Sequence, residues 1–461
     1  MMNEFSAGLS RVWSKGRILV KIAVIGIITL LLLIPLSMIN SVLSERLGRR
    51  NNTVSEITSS WGASQTVVGP ILQIPYQVRT KVLRERKVND KVEQIEVEQI
   101  QTHRAFFLPE KLVINGSIEP RRLYRGIYDA VVYSGELSLT GSFGPPDWQD
   151  LKIDPKDVLW DDAIISLGVT DLRGTRSKLV LQWNQQPFDL TPGTRLSFPT
   201  NGVSAALKGS GWTGERVPFA LDLTFNGSND ILLAPLGVEN QVDIKSPWPD
   251  PGFRGAFLPS TRNISGQGFD AQWNVSYYGR SFPQQWVEDK GVKPSQFESS
   301  MFGVEFVATV DFYRNIERAI KYGFLFMVLV FTAFFLFEIV SRLNIHPFQY
   351  ILVGAALCLF YLALLSLSEF LRFGLAYFLA AFASWSMISA YSASVLKSGR
   401  KTVIIASLIA LIYGVLYVIL QLQDFALLVG TIALFIALGA VMFATRQIDW
   451  YQDRPSPPPN P

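Results

Sequence analysis

The chain has 461 residues, 49% of them apolar and 17% charged, with a formal net charge of +4. Residues 41–319 hold 62 of the 80 Asp, Glu, Lys and Arg (30 basic, 32 acidic), the last 142 residues hold 13, and the first 40 hold 5. A slightly acidic middle excludes an ordinary nucleic-acid-binding protein, whose basic charge sits on its folded domain. The charge-poor ends point to a membrane protein with one large water-soluble domain.

A helix needs about 20 mostly apolar residues to cross the hydrocarbon core. Residues 1–19 form a basic start, with Arg11, Lys15 and Arg17, and residues 20–40 are the first apolar stretch. Lys21, at its head, can snorkel toward water. The run from Ile22 to Ile39 is longer than a signal-peptide core, and Leu43, Ser44 and Glu45 follow where a small-residue cleavage site would stand. It reads as an uncleaved anchor. Five further stretches follow the long polar region 41–319: 322–341, 349–368, 372–396, 401–421 and 424–444. Residues 445–461 are a tail whose last seven positions, rich in proline, read as extended. With the start inside, the positive-inside rule is met by Arg342, by Lys397, Arg400 and Lys401, and by Arg446 and Arg454. Both termini are then cytoplasmic and residues 41–319 lie outside. Arg46, Arg49 and Arg50 run against the rule, but charges that open a long domain discriminate poorly.

The outer region reads as β-rich. Val217, Phe219, Leu221, Leu223 and Phe225 alternate with Pro218, Ala220, Asp222 and Thr224, and Asn226-Gly227 supplies a turn. Val304, Phe306, Ala308, Val310 and Phe312 repeat the pattern, as do Leu137, Leu139, Gly141 and Phe143. Residues 78–101 read as a charged hairpin turning at Val88-Asn89-Asp90-Lys91. The expected fold is six transmembrane helices plus an antiparallel, sandwich-like or layered domain. That domain has no disulfide, because the single cysteine is Cys358 in an apolar stretch. An internal repeat is also visible. Phe107-Leu108-Pro109 with Ile114 and Gly116 recurs at identical spacing as Phe257-Leu258-Pro259 with Ile264 and Gly266.

The search for chemistry finds little. The two histidines, His103 and His346, fall on opposite sides of the membrane and cannot share a metal or a triad. No metal, phosphate-loop or nucleophile-elbow motif occurs. Asp161 and Asp162 are an acid pair, but adjacent strand residues face opposite ways, so they read as a solvated loop. The chain is expected to be no enzyme and to need neither metal nor cofactor. In the membrane part, Glu338 is expected to pair with Arg342 at i+4, and Glu369 with Arg372 at the outer turn. Asp424 suits the positive N-terminal end of the sixth helix. His346 and Pro347 shape a cytoplasmic turn. The helix centres carry no ionisable residue, which weighs against ion-coupled transport. Gly354-Ala355-Ala356 and Gly430 with Gly439 would let helices approach closely.

Several blocks resemble the CreD family of bacterial inner-membrane proteins. In the outer region these are Val68-Gly69-Pro70-Ile71-Leu72-Gln73-Ile74-Pro75, Phe107-Leu108-Pro109, Arg125-Gly126-Ile127-Tyr128 and Gly255-Ala256-Phe257-Leu258-Pro259. In the membrane part they are Lys321-Tyr322, Phe334-Phe335-Leu336-Phe337-Glu338, His346-Pro347-Phe348-Gln349-Tyr350, Ser366-Leu367-Ser368-Glu369 and Ile448-Asp449-Trp450-Tyr451. Phe370 stands where the resemblance leads one to expect histidine, which argues against a proton relay there. The resemblance implies an inner-membrane protein of a two-component regulon, linked to envelope stress, cell-envelope integrity and colicin tolerance. It implies no biochemical activity. The reading is a non-enzymatic protein whose periplasmic domain binds a periplasmic protein or envelope component, with membrane lipid around its helices and no nucleic acid. The alternatives are a transporter or channel for a lipid-like substrate, and a membrane-bound hydrolase using His103 or the Asp161–Asp162 pair. The oligomeric state is not readable from the sequence.

Overall fold

The computed structural model describes residues 2–88, 91–175, 178–196, 198–288, 291–306, 312–341, 344–422 and 425–446, and side chains throughout these except at 2–19, 84–88, 91–95 and 444. Two compact units emerge, a helical one from Met1–Arg50 with Val310–Pro461 and a sheet-rich one from Asn51–Thr309. Helix α1 (Met2–Trp61) contributes to both. It runs well past residue 40, where the first span was expected to end. The apolar criterion detects only what can cross lipid, whereas residues 41–61 hold no proline and carry an i,i+4 pair, Glu45–Arg49 at 2.5 Å.

In the sheet-rich unit, β1 (Gln65–Val88) and β2 (Lys91–Phe107) form one long hairpin, and β3 (Lys111–Arg125) and β4 (Tyr128–Phe143) another. Asn89 and Asp90, expected at the first turn, lie outside the described residues. Then come β5 (Ile164–Val169), β6 (Val180–Trp183), β7 (Gln186–Asp189), β8 (Thr191–Pro192), β9 (Gly202–Ala206) and β10 (Val217–Ser228). They are followed by β11 (Asp230–Leu233), β12 (Glu239–Ser246), β13 (Pro251–Gly255), β14 (Thr261–Ser265), β15 (Gly268–Ser276), β16 (Gln285–Val287), a short helix α2 (Pro294–Glu298) and β17 (Phe302–Phe306). Strand β17 ends at Phe306, and Phe312 opens a helix instead of extending the strand as its alternation suggested. Ala308 and Val310 lie outside the described residues.

A nine-stranded sheet runs β13-β17-β11-β1-β5-β9-β8, with β2 paired to β1 and β16 to β2, and an eight-stranded sheet runs β14-β15-β12-β3-β4-β10-β6-β7. Alternation buries one face of the longer sandwich strands, such as β3, β10 and β12. In β10, Val217, Phe219, Leu221, Leu223 and Phe225 are buried while Pro218 and Asp222 are exposed. The two inner faces share one core, for Tyr133 of β4 meets Phe306 of β17 at 5.1 Å and Trp273 of β15 meets Phe302 of β17 at 5.6 Å. Trp148, Trp160, Trp212 and Trp183 form an edge-to-face chain with centroids 5.2–5.5 Å apart. Each large side chain so buried contributes about 1.5–3 kcal/mol, which is how the sandwich stands without a disulfide.

The sheets are mixed, correcting the antiparallel expectation. The parallel pairs are β11 with β1 and β12 with β3. Both fall where a three-strand pattern starts again. In the first sheet β13-β17-β11 and β1-β5-β9 both alternate in sense, but β11 precedes its two neighbours in the chain whereas β9 follows its own. In the second, β14-β15-β12 and β3-β4-β10 likewise alternate in sense, with β12 preceding its hairpin in the chain and β10 following its own. Each Phe-Leu-Pro block is the crossing from the first sheet into a hairpin of the second, at 107–109 into β3 and at 257–259 into β14. The two Phe-Leu-Pro blocks thus occupy equivalent places between the sheets, while the strands on either side of the parallel pairs follow different chain orders.

In the helical unit, α3 (Phe312–Lys321) precedes α4 (Gly323–Val340), α5 (Pro347–Ser368), α6 (Phe373–Leu396), α7 (Gly399–Gln421) and α8 (Ala426–Thr445). Six helices, α1 and α4 to α8, are long and apolar enough to cross a membrane. The short α3 is amphipathic, burying Tyr313, Ile316, Ala319 and Ile320 opposite charged positions. Hydrogen bonds fasten the centre: Tyr377 donates to the Tyr413 carbonyl at 2.7 Å, Tyr413 to Ser384 at 2.8 Å, and Ser384 to the Ala356 carbonyl at 3.0 Å. At Gly354 an added Cβ would stand 2.1 Å from Leu32, so α1 and α5 touch there because no side chain intervenes. At Gly430 and Gly439 an added Cβ would meet no atom of the described residues within 4 Å, so no close approach of helices depends on them there.

Candidate functional site

The ionisable residues expected in the membrane part assemble into two clusters within the helical unit. In the first, Glu338 lies in the last turn of α4, 4% exposed. Arg342 lies outside the described residues. The base that the structure gives Glu338 is Lys21 of α1, which forms an ion pair with Oε1. Lys21 Nζ also donates to the Ile345 carbonyl at 2.8 Å. The Ile345 amide donates to Glu338 Oε1 at 3.0 Å, and the Tyr350 hydroxyl to Oε2 at 2.9 Å. Both carboxylate oxygens are therefore satisfied, and the charge is offset by an ammonium. Such completeness is what burial requires, since a carboxylate cannot leave water without a partner.

Helix α5 begins beside this cluster because the local sequence starts a helix there. Pro347 stands at its first position, and the exposed His346 caps it, with Nδ1 accepting from the Phe348 amide at 3.2 Å. Gln349 completes the cap by accepting from the His346 amide at 3.1 Å. The same turn fixes Tyr350, which faces Glu338. The His-Pro-Phe-Gln-Tyr block thus starts the helix and delivers a donor to the buried acid.

In the second cluster Glu369, at the C-terminal end of α5, has a side chain 7% exposed. It meets Arg46 of α1 at 3.6 Å and accepts from the Tyr313 hydroxyl of α3 at 3.4 Å. Arg50 lies over the Tyr313 ring at 6.0 Å. The expected partner Arg372 is instead the exposed residue that precedes α6. These contacts are longer than those of Glu338, and hydrogen bonds weaken at such lengths. Asp424 lies outside the described residues. Arg318 of α3, absent from the sequence-based set, donates to the carbonyls of Ile419 and Leu422 at 3.2 Å and so caps α7.

Lys21, Arg46, Tyr313 and Tyr350 were missed as partners for a common reason: spacing rules reach one or two turns, whereas Lys21 and Glu338 are 317 residues apart. What could have been noticed is that α1 has one base at each end of its apolar run. Twenty-five residues separate Lys21 from Arg46, about 37 Å of helix at about 1.5 Å per residue, against a hydrocarbon layer of about 30 Å.

The sheet-rich unit has its own polar cluster. Gln65, fully buried, donates to the carbonyls of Asp171 (2.8 Å) and Asn226 (2.6 Å). Hydrogen bonding from Arg173 holds the Asp171 carboxyl below the usual carboxylate range, and Arg173 reaches the Ser59 carbonyl in the last turn of α1. Arg121 stacks over Trp61 at 3.9 Å, and the Trp61 indole donates to the Tyr133 carbonyl at 3.1 Å. Burial pushes the Tyr133 hydroxyl pKa well up, and it donates to the Asp230 carbonyl at 2.7 Å. These groups grip residues 51–61 of the helix. Of the residues considered for hydrolysis, His103 sits in β2 with its ring 6.0 Å from that of Tyr76. Asp161 and Asp162 are exposed on a single 3-10 turn. Among the described residues, no group of three or more His, Cys, Asp and Glu could hold a metal ion.

A family model described as "Inner membrane protein CreD" matches residues 17–451. The chain is 32% identical over 424 residues to the inner membrane protein CreD of Escherichia coli (strain K12), covering 92% of this chain and 91% of that protein. The match runs across both units, from before the first span to beyond the last, and on that ground the chain belongs to the CreD family of inner membrane proteins.

Proposed function

We propose that the protein supports cell-envelope integrity without catalysis: its β-sandwich, on the periplasmic side, binds a periplasmic protein or envelope component, and its helices anchor it. The carrying observation is that both buried carboxylates of the helical unit, Glu338 and Glu369, are held by bases of α1. Charges held so serve to fix helices; a pathway for ions needs groups that can exchange partners. Charge asymmetry supports the orientation, with Lys397, Arg400 and Lys401 cytoplasmic. The test is complementation of a deletion strain, scored by colicin and detergent sensitivity. Residues 1–309, anchored by α1, are expected to restore a substantial part of the phenotype, and His103→Ala with Asp161→Ala and Asp162→Ala to leave the full chain active. Folded and exported residues 1–309 with no effect would move the function into the bundle.

A second reading, movement of a lipid-like molecule, is favoured by one feature. A groove of about 670 Å³ between α1, α4 and α8 is lined by apolar residues such as Ile22, Leu30, Phe331, Phe335 and Val441. Reconstituted protein that scrambles a fluorescent phospholipid faster than empty vesicles would favour this reading over a passive anchor.

A further inference from the structure

The β1–β2 hairpin extends beyond the sandwich pairing. β1 pairs with β5 only up to Gln73, an isolated bridge joins Tyr76 to Val158, and β16 meets β2 only at Ala105–Phe107. From Thr80 to Val88 and from Lys91 to Thr102 the two strands pair with each other and, among the described residues, with no other strand. Each therefore keeps one open edge of backbone donors and acceptors, and a two-stranded ribbon of this kind is marginal alone. Leu83 (61% exposed) and Ile100 (54% exposed) lie out in water on it.

The two edges differ in charge. Among the described side chains, β1 carries Arg79 and Lys81 and β2 carries Glu96 and Glu98. Within one copy Arg79 pairs with Asp157 at 3.6 Å and Lys81 with Glu96 at 3.2 Å, the latter showing the attraction that a β1 and a β2 strand have for each other. Like charges facing each other across strands are destabilising, so two β1 edges repel, as do two β2 edges. A β1 edge beside a β2 edge is attractive. The strand senses agree as well: β1 and β2 are antiparallel, so a second ribbon in the same orientation brings its β2 antiparallel to the first ribbon's β1.

We propose that this ribbon is a self-association surface, on which the β1 edge of one copy pairs with the β2 edge of a second copy of this chain. A foreign strand would satisfy one edge and leave the other open. Head-to-tail pairing of identical copies satisfies both, except at the ends of an unclosed chain. The proposal is independent of what the sandwich binds.

The test uses the full chain in lipid nanodiscs and detergent, in a Cys358→Ala background. Copies carrying Leu83→Cys are mixed with copies carrying Glu96→Cys, Glu98→Cys or Ile100→Cys, all in positions that share a ribbon face by the strand register. Disulfide-linked dimers are expected in at least one mixture and in neither copy alone, and native mass measurement is expected to show species larger than one chain. A second variant replaces residues 80–102 by a short turn. It is expected to be monomeric with an unchanged thermal midpoint, since the sandwich core lies outside the ribbon. A wild-type chain that is monomeric by mass at micromolar concentration overturns the proposal, as does linkage equally strong between identical copies.

Discussion

Replacing Glu338 by leucine removes a carboxylate held by Lys21, the Ile345 amide and the Tyr350 hydroxyl. It also strands the Lys21 ammonium, whose side chain is 20% exposed and keeps, among the described residues, the Ile345 carbonyl. Breaking a buried pair from one side costs about 3–5 kcal/mol, mostly for the charge left behind. At about 2–4 °C per kcal/mol for a unit of about 200 residues, the thermal midpoint in detergent should fall by about 6–20 °C. Lys21→Met should cost less, because Glu338 keeps two donors, the Ile345 amide and the Tyr350 hydroxyl. The double variant Lys21→Met with Glu338→Leu leaves neither charge and should be more stable than Glu338→Leu alone, with a coupling of about 2 kcal/mol or more. The assay is a thermal-unfolding cycle on the four purified proteins, read by intrinsic fluorescence. Strict additivity would refute the direct pairing. A stable double variant that complements the deletion strain supports an anchoring role, whereas a stable one that has lost function would mean that the charges act in transport.

Arg46→Met should destabilise by only about 1 kcal/mol, because its 3.6 Å contact with Glu369 is long and the arginine is 40% exposed; the same fluorescence assay measures it. Gly303→Ala should be severe, since the new Cβ would stand 1.9 Å from the Ile231 carbonyl inside the nine-stranded sheet. Loss of folded protein, or a drop of about 3 kcal/mol or more, is expected where backbone must shift. Asp171 has a lowered folded pKa, so its contribution to stability is fully present above the unfolded carboxylate pKa of about 3.9 and is lost as pH falls through the lower folded value. Asp171→Asn should therefore destabilise at pH 7 and flatten the acid limb of a stability–pH curve. A curve of unchanged shape would show that Arg173 does not hold the carboxylate.

How much of this was legible follows from the range of each physical rule. The membrane helices could be read because lipid thickness fixes their length. The core face of β10 could be read because alternation is local to one strand. The parallel seams could not, for alternation says which face is buried and nothing about which strand lies alongside. Helix α3 escaped because it is ten residues long with four of them charged, too short and too polar for a hydropathy window. Glu338 and Glu369 were legible as unusual, since charge is costly in an apolar setting. Their partners were not, because the nearest bases in sequence, Arg342 and Arg372, are one turn away while Lys21 and Arg46 belong to a helix about 300 residues earlier.

That both bases belong to one helix has a mechanical consequence. Lys21 and Arg46 face acids contributed by the ends of α4 and α5, and between them Leu32 rests against Gly354. A slide of α1 by one turn, about 5.4 Å, would pull both bases off their acids at once and drive another side chain into the Gly354 contact. A rotation by one residue, about 100°, would do the same. Intermediate positions gain nothing, since a half-displaced Lys21 leaves the buried Glu338 without its base, whereas the more exposed Arg46 loses little. The helix therefore has one favourable depth and one favourable angle against α4 and α5. A piston-like signal along it would have to break two ion pairs together, the deeper of which alone costs about 3–5 kcal/mol when left half-made. A helix so registered suits holding, and this favours the anchor over the moving part as the role of α1.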